Sequence, residues 1–147
     1  MIFKDLASLD LPLPQNAQEN FTIYCELLLK WNKTHNLSGA TTSQKVYEFL
    51  YDSLYPMTLV PKPTKVLDVG SGAGFPAIAL AILYPDVTFE LVEPLQKRIA
   101  FLNFVKIKAK LTNITLHTCR LEAMPTSTYD LITSKAVMGA NLLYKIS

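Results

Sequence analysis

Three glycines, Gly70, Gly72 and Gly74, alternate with Ser71 and Ala73 between an aspartate, Asp68, and a phenylalanine, Phe75. Glycines spaced in this way let the backbone turn sharply and let a ligand come nearer than a Cβ would permit. A dinucleotide-binding turn reads G-x-G-x-x-G, with room for a pyrophosphate at the start of the following helix. The G-x-G-x-G found here, with an acid two positions before its first glycine, suits S-adenosylmethionine instead. That molecule has no phosphate and carries an ammonium and a sulfonium, whose positive charge Asp68 can balance through ordered water or backbone contacts. Glu93 follows about twenty residues on, where a carboxylate can accept both ribose hydroxyls in a bidentate hydrogen bond. Taken singly, Asp68 reads equally as a strand-end turn residue, and Glu93 as a solvated strand end. Strand, loop, helix, strand and acid in this order point to the methyl donor, with a nicotinamide dinucleotide as the alternative.

The segment Thr133-Ser134-Lys135-Ala136-Val137 bears on the methyl acceptor. Methylation of an exocyclic base amine usually uses an [Asp/Asn]-Pro-Pro-aromatic turn, and C5 methylation of a pyrimidine needs a cysteine nucleophile. Neither is in this segment. An acceptor that is already nucleophilic, such as N7 of guanine with its in-plane lone pair, needs no base and no covalent step. Catalysis is then the alignment of acceptor and sulfonium methyl in a water-poor pocket. No catalytic side chain is assigned on this reading.

The chain's 147 residues suffice for one domain. Half of them are hydrophobic and 18% are charged, a globular composition. A net charge of +2 neither requires nor excludes a nucleic-acid partner. Cys25 and Cys119 have no CxxC spacing, and His35 and His117 lie far apart, so no metal site is expected and the two thiols read as reduced. No apolar stretch reaches the ~18 residues that span a bilayer, so the expected location is cytoplasmic, with no membrane partner. A helix is expected from Asn16, as N-cap with Glu19 three residues on, with Phe21, Tyr24, Leu27, Leu28 and Trp31 on its buried stripe. A second, capped by Ser43, would bury Val46, Phe49, Leu50, Leu54 and Met57. The segment Pro61-Lys62-Pro63 reads as a stiff linker.

From Thr64 the pattern changes to short apolar strands at 65–69, 87–92, 113–118 and 129–134. Helices are expected at 76–84 and at 95–110, the latter burying Leu95, Ile99, Leu102 and Val105, and a further helix after Lys135. This order implies an α/β, Rossmann-like, mostly parallel sheet preceded by N-terminal helices. The chain is expected to be one methyltransferase domain, with residues 1–60 as a helical extension and 64–147 as the Rossmann-like core.

The segments Leu29-Lys30-Trp31-Asn32, His35-Asn36-Leu37, Asp52-Ser53-Leu54 and Asp68-Val69-Gly70-Ser71-Gly72-Ala73-Gly74-Phe75-Pro76 resemble the RsmG family, also called glucose-inhibited division protein B. Lys97-Arg98-Ile99-Ala100-Phe101-Leu102 and Thr133-Ser134-Lys135-Ala136 extend the likeness, which runs from about Tyr24 to Ala136. The resemblance implies a class I, S-adenosylmethionine-dependent methyltransferase acting on N7 of a guanine in 16S ribosomal RNA, free or in the small ribosomal subunit. It implies cofactor contacts at Gly70 and Phe75, and at Leu121 and Glu122 bordering the adenine. Glu93 takes the ribose-acid position, where many members have aspartate. The last cofactor contact implied is Lys135, where the family has an arginine in the turn after the fourth strand; it keeps the charge but loses the planar fork. Members of the family run on past that turn, so this chain is expected to be C-terminally short, with the fourth strand as an open edge. Asn32, His35 and Asn36 either face the cleft or cap the first helix. Lys97, Arg98, Lys106, Lys108 and Lys110 are not confined to one helical face. A small-molecule methyltransferase and a non-catalytic cofactor-binding protein remain as alternatives.

Overall fold

The computed structural model describes residues 6, 8–136 and 139–143, with side chains through Ser134. Helix α1 spans Ala17–His35 and α2 spans Ser43–Leu54, followed by a 3-10 turn at Tyr55–Thr58. Then come β1 (Lys65–Val69), α3 (Ala77–Leu83), β2 (Thr88–Val92), α4 (Gln96–Lys108), β3 (Ile114–His117), a 3-10 turn (Leu121–Ala123), β4 (Leu131–Ala136) and β5 (Gly139–Leu143). The sheet has five strands in the order β3-β2-β1-β4-β5. β1 to β4 run parallel, and β5 pairs antiparallel to β4, with Lys135 opposite Ala140. This is an α/β, Rossmann-like, mostly parallel sheet preceded by helices.

The helix expected after Lys135 is not formed within 139–143. Those residues are strand β5, and Lys135 itself lies inside β4 rather than in a turn beyond it. The reason is the edge of the sheet: the backbone N–H and C=O groups along β4 need partners, and a returning strand supplies them. Residues 137, 138 and 144–147, also within the expected helix, lie outside the described residues.

Side chains alternate across the strands, so β1 sends Val66 and Asp68 to one face and Leu67 and Val69 to the other. The first face joins the main core, where Val66, Phe89, Leu91, Ile114 and Leu131 pack with Tyr24, Leu28, Leu50, Phe101 and Leu102 from the helices. Burying each such leucine or phenylalanine contributes about 1.5–3 kcal/mol. The second face carries a smaller cluster of Leu67, Val92 and Tyr129.

Local signals at the helix ends were partly right. Asn16 stands at the N-cap of α1 but its side chain makes no cap hydrogen bond. The cap of α2 is Thr42, whose hydroxyl accepts from the Lys45 amide at 3.2 Å, one residue before the expected Ser43. Leu95, expected in the buried stripe of α4, is the N-cap of that helix and is 47% exposed. Being outside the helical rotation, it does not share the face of Leu102 and Val105. Phe101 joins these two in the core instead.

Candidate functional site

β1 ends in the glycine loop, and the loop is held from three directions. From β2, the Val92 carbonyl accepts hydrogen bonds from the Gly70 amide at 2.8 Å and the Ser71 amide at 3.3 Å. From the end of the same strand, Glu93 Oε1 accepts the Gly72 amide at 2.9 Å, while Oε2 accepts that of Leu95 at 2.9 Å. From α1, the Tyr24 hydroxyl donates to the Ala73 carbonyl at 2.7 Å. Within the loop, the Gly74 amide closes a turn onto the Ser71 carbonyl at 2.7 Å.

Gly70, Gly72 and Gly74 all have positive φ, at 69°, 55° and 98°. At Gly74 a Cβ would stand 2.6 Å from Cγ1 of Ile78 and 3.0 Å from the Tyr24 hydroxyl, so both conformation and space require glycine. At Gly70 a Cβ would meet nothing within 4 Å. The loop therefore presents open backbone on one side and is tightly packed on the other.

Asp68 is opposite Thr133 in the register of β1 and β4. Both are buried, at 1% and 0% exposure, and the threonine hydroxyl donates to Asp68 Oδ1 at 2.6 Å. Oδ2 is buried with no hydrogen-bond partner among the described residues. Burial pushes the Asp68 carboxyl up to about 7, against the pull of the Ser71 and Thr133 hydroxyls, and the charge of Glu93 adds to the rise. Arg98 from α4 brings Nη1 to 3.7 Å from Glu93 Oε1, above Gly72.

The structure thus gathers Asp68, Gly70, Gly72, Gly74, Phe75 and Glu93 around one turn. Glu93 is not a solvated strand end: it is 1% exposed and each oxygen already holds a backbone amide, with a further lone pair on each. Leu121 and Glu122 lie elsewhere, in the exposed 3-10 turn between β3 and β4. Leu121 lines a cavity of about 260 Å³ with Leu67, Val69, Met124, Tyr129 and Ile132, on the second face of the sheet. The side chain of Lys135 lies outside what is described.

Asn32 is a staple of the loop after α1. Its Nδ2 donates to the Ser38 carbonyl at 2.9 Å and its Oδ1 accepts the Ser38 amide at 2.7 Å. Asn36 is the left-handed C-cap of α1, at φ 50°, and His35 packs its ring against Trp31 at 5.2 Å. Asn36 therefore caps α1, while Asn32 ties down the loop that follows. Sequence reasoning missed Thr133 and the hydroxyl of Tyr24. No local signal marks Thr133, because the register of β1 and β4 alone sets it opposite Asp68. For Tyr24, the ring alone accounts for a place in the apolar stripe, so nothing in the spacing singles out the hydroxyl. Among the described residues no group of three or more His, Cys, Asp or Glu could hold a metal. Nor is any described helix long and apolar enough to cross a membrane.

A parallel sheet of order 3-2-1-4, a glycine turn after its central β1 and an acid ending β2 define a Rossmann-like, class I methyltransferase fold. Within that class, the family model for rRNA small subunit methyltransferase G (GidB) matches residues 17–147. The chain belongs to this family. It is similar to the ribosomal RNA small subunit methyltransferase G of Wolinella succinogenes, 42% identical over 142 residues, covering 97% of this chain and 74% of the relative. The protein of the same name from Helicobacter hepaticus is 44% identical over 138 residues, covering 92% of this chain and 75% of its own. That of Aliarcobacter butzleri is 40% identical over 147 residues, covering 100% and 76%. Among solved structures, the plantazolicin methyltransferase BpumL, in complex with a monoazolic desmethylPZN analog and SAH, overlaps 80% of this chain and 48% of its own. Its TM-score is 0.42 and its sequence identity 15%.

Proposed function

We propose that this chain transfers the methyl group of S-adenosylmethionine to N7 of a guanine in 16S ribosomal RNA, free or in the small ribosomal subunit. The observation that carries the reading is Asp68: a buried carboxylate with one oxygen unpartnered, beside a loop whose Gly70 backbone is open to a ligand. An unpaired buried acceptor of this kind fits a cationic ligand and would repel a pyrophosphate.

When bound, the cofactor supplies an electrophilic methyl on a sulfonium centre. Asp68, with Thr133 fixing its other oxygen, would balance the positive methionine end. Gly70, Gly72 and Gly74 would let the loop backbone follow the ligand closely, and Phe75 would border it through its backbone, its ring being buried in the core. Glu93 would offer its remaining lone pairs to the ribose hydroxyls. Leu121 and Glu122 would border the adenine, and Lys135 would be the last of the cofactor contacts. N7 would need no prior deprotonation to take the methyl, the S–CH3 bond breaking as N7–CH3 forms and the sulfur keeping the electron pair. The work left to the protein is then alignment and the exclusion of water.

The test has two stages. S-adenosylmethionine should raise the melting temperature of the purified chain while nicotinamide dinucleotides leave it unchanged; the reverse pattern would reject the cofactor assignment. Labelled methyl should then pass to small-subunit RNA from a strain lacking this modification, at a guanine N7. Tight cofactor binding with no such transfer would leave the non-catalytic alternative standing in its place.

A further inference from the structure

α1 lies before the sheet in the chain, yet one of its side chains reaches the glycine loop. Tyr24 is fully buried, and its hydroxyl donates to the Ala73 carbonyl at 2.7 Å across 49 residues of sequence. Its ring centroid lies 5.2 Å from that of Phe75 and 6.4 Å from that of Phe101. The same hydroxyl is one of the two groups that leave room only for glycine at position 74. β2 fixes the front of the loop through the amides of Gly70 and Ser71, and Glu93, just after it, through that of Gly72. Ala73, Gly74 and Phe75, the back of the loop, meet Tyr24.

We infer that Tyr24 is a positioning residue of the cofactor site: its hydroxyl holds the backbone at 73–75 in the shape that receives the methyl donor. This rests on the reading of the loop given above. The hydrogen bond ties the Ala73 carbonyl to the buried Tyr24 hydroxyl, and the ring packs against that of Phe75 at a tilt of 53°. Burial raises the Tyr24 hydroxyl well above its ordinary range, so it remains a donor at every working pH. The helical extension is by this inference a working part of the cofactor site, and the loop motif alone is not the whole of it.

Tyr24→Phe keeps the ring and removes the donor, leaving the Ala73 carbonyl buried without its partner. In the full chain this variant should bind S-adenosylmethionine about tenfold more weakly by calorimetry. Without cofactor, its amides at 72–74 should exchange with solvent faster than in the wild type, while those of β1 keep their protection. Val105→Ala in α4 is the control for stability, since it loses buried volume away from the loop. It should lower the melting temperature and leave cofactor affinity as it was. Equal affinity of Tyr24→Phe and wild type overturns the inference alone. So does a loss of affinity shared by both variants in proportion to their loss of melting temperature. A wild-type chain that binds no S-adenosylmethionine overturns the functional reading and this inference with it.

Discussion

A carboxyl such as Asp68, buried and with one oxygen unpaired among the described residues, is pushed up out of the ordinary range of its kind. Its neighbours are the Thr133 hydroxyl from β4, Ser71 from the loop, the Glu93 charge from β2 and the phenol of Tyr24 from α1. Because the folded chain holds this proton up to about pH 7 and the unfolded chain releases it near 3.8, the stability Asp68 contributes is complete at low pH. It is lost as pH rises through about 7 and is flat beyond. Asp68→Asn should abolish that slope, which urea titrations between pH 5 and pH 8 would register. A cationic ligand favours the ionised form, so binding below pH 7 should release a proton. Affinity for S-adenosylmethionine should then rise between about pH 6 and pH 8, and calorimetry in buffers of different ionisation enthalpy should detect the released proton. A flat profile would mean that Asp68 is already ionised in the cofactor-free protein.

At the scale of elements, the turn from α3 into β2 depends on Asn113. Its Nδ2 donates to the carbonyls of Ala81, Tyr84 and Val87 at 3.1, 3.0 and 3.1 Å. These are carbonyls at the end of a seven-residue helix and just before β2, which the helix itself cannot satisfy. Asn113→Ala should cost about 1–3 kcal/mol in denaturant unfolding, with little change in the slope against denaturant. How much of this was legible in the sequence follows from the range of each interaction. β1 is read with its observed bounds, and α3, β2 and α4 to within a residue or two, because apolar runs broken by glycine and proline mark them locally. Gly70, Gly72, Gly74 and Glu93 were legible for the same reason: their meaning lies in spacing. Thr133 was not, since only the parallel register of β1 and β4 sets it against Asp68. The hydroxyl of Tyr24 was hidden in an apolar stripe whose ring alone explains its burial. β5 was misread as helix because 139–143 has no strict alternation, and pairing to β4, a tertiary fact, decides its state.

Over the whole molecule, one core runs from Leu6 through the helices to Leu131. Pro61-Lys62-Pro63 looks like a linker in sequence, yet Pro63 is buried and α1 packs against α3 and α4 across it. Residues 1–60 and the strands that follow should therefore unfold together. A single calorimetric transition, with van't Hoff and calorimetric enthalpies equal, is the expected outcome; two resolved transitions would identify the helices as a separate unit. The distances in sequence between partners have a bearing on how the protein is made. Tyr24 finds Ala73 after 49 residues, and Asp68 finds Thr133 after 65. Synthesis in chain order delivers Tyr24 well before Thr133. Until Thr133 has emerged from the ribosome, the nascent chain carries β1 with one side unpaired and an aspartate that water still solvates. The interval between those two moments is when this chain most needs protection from its neighbours.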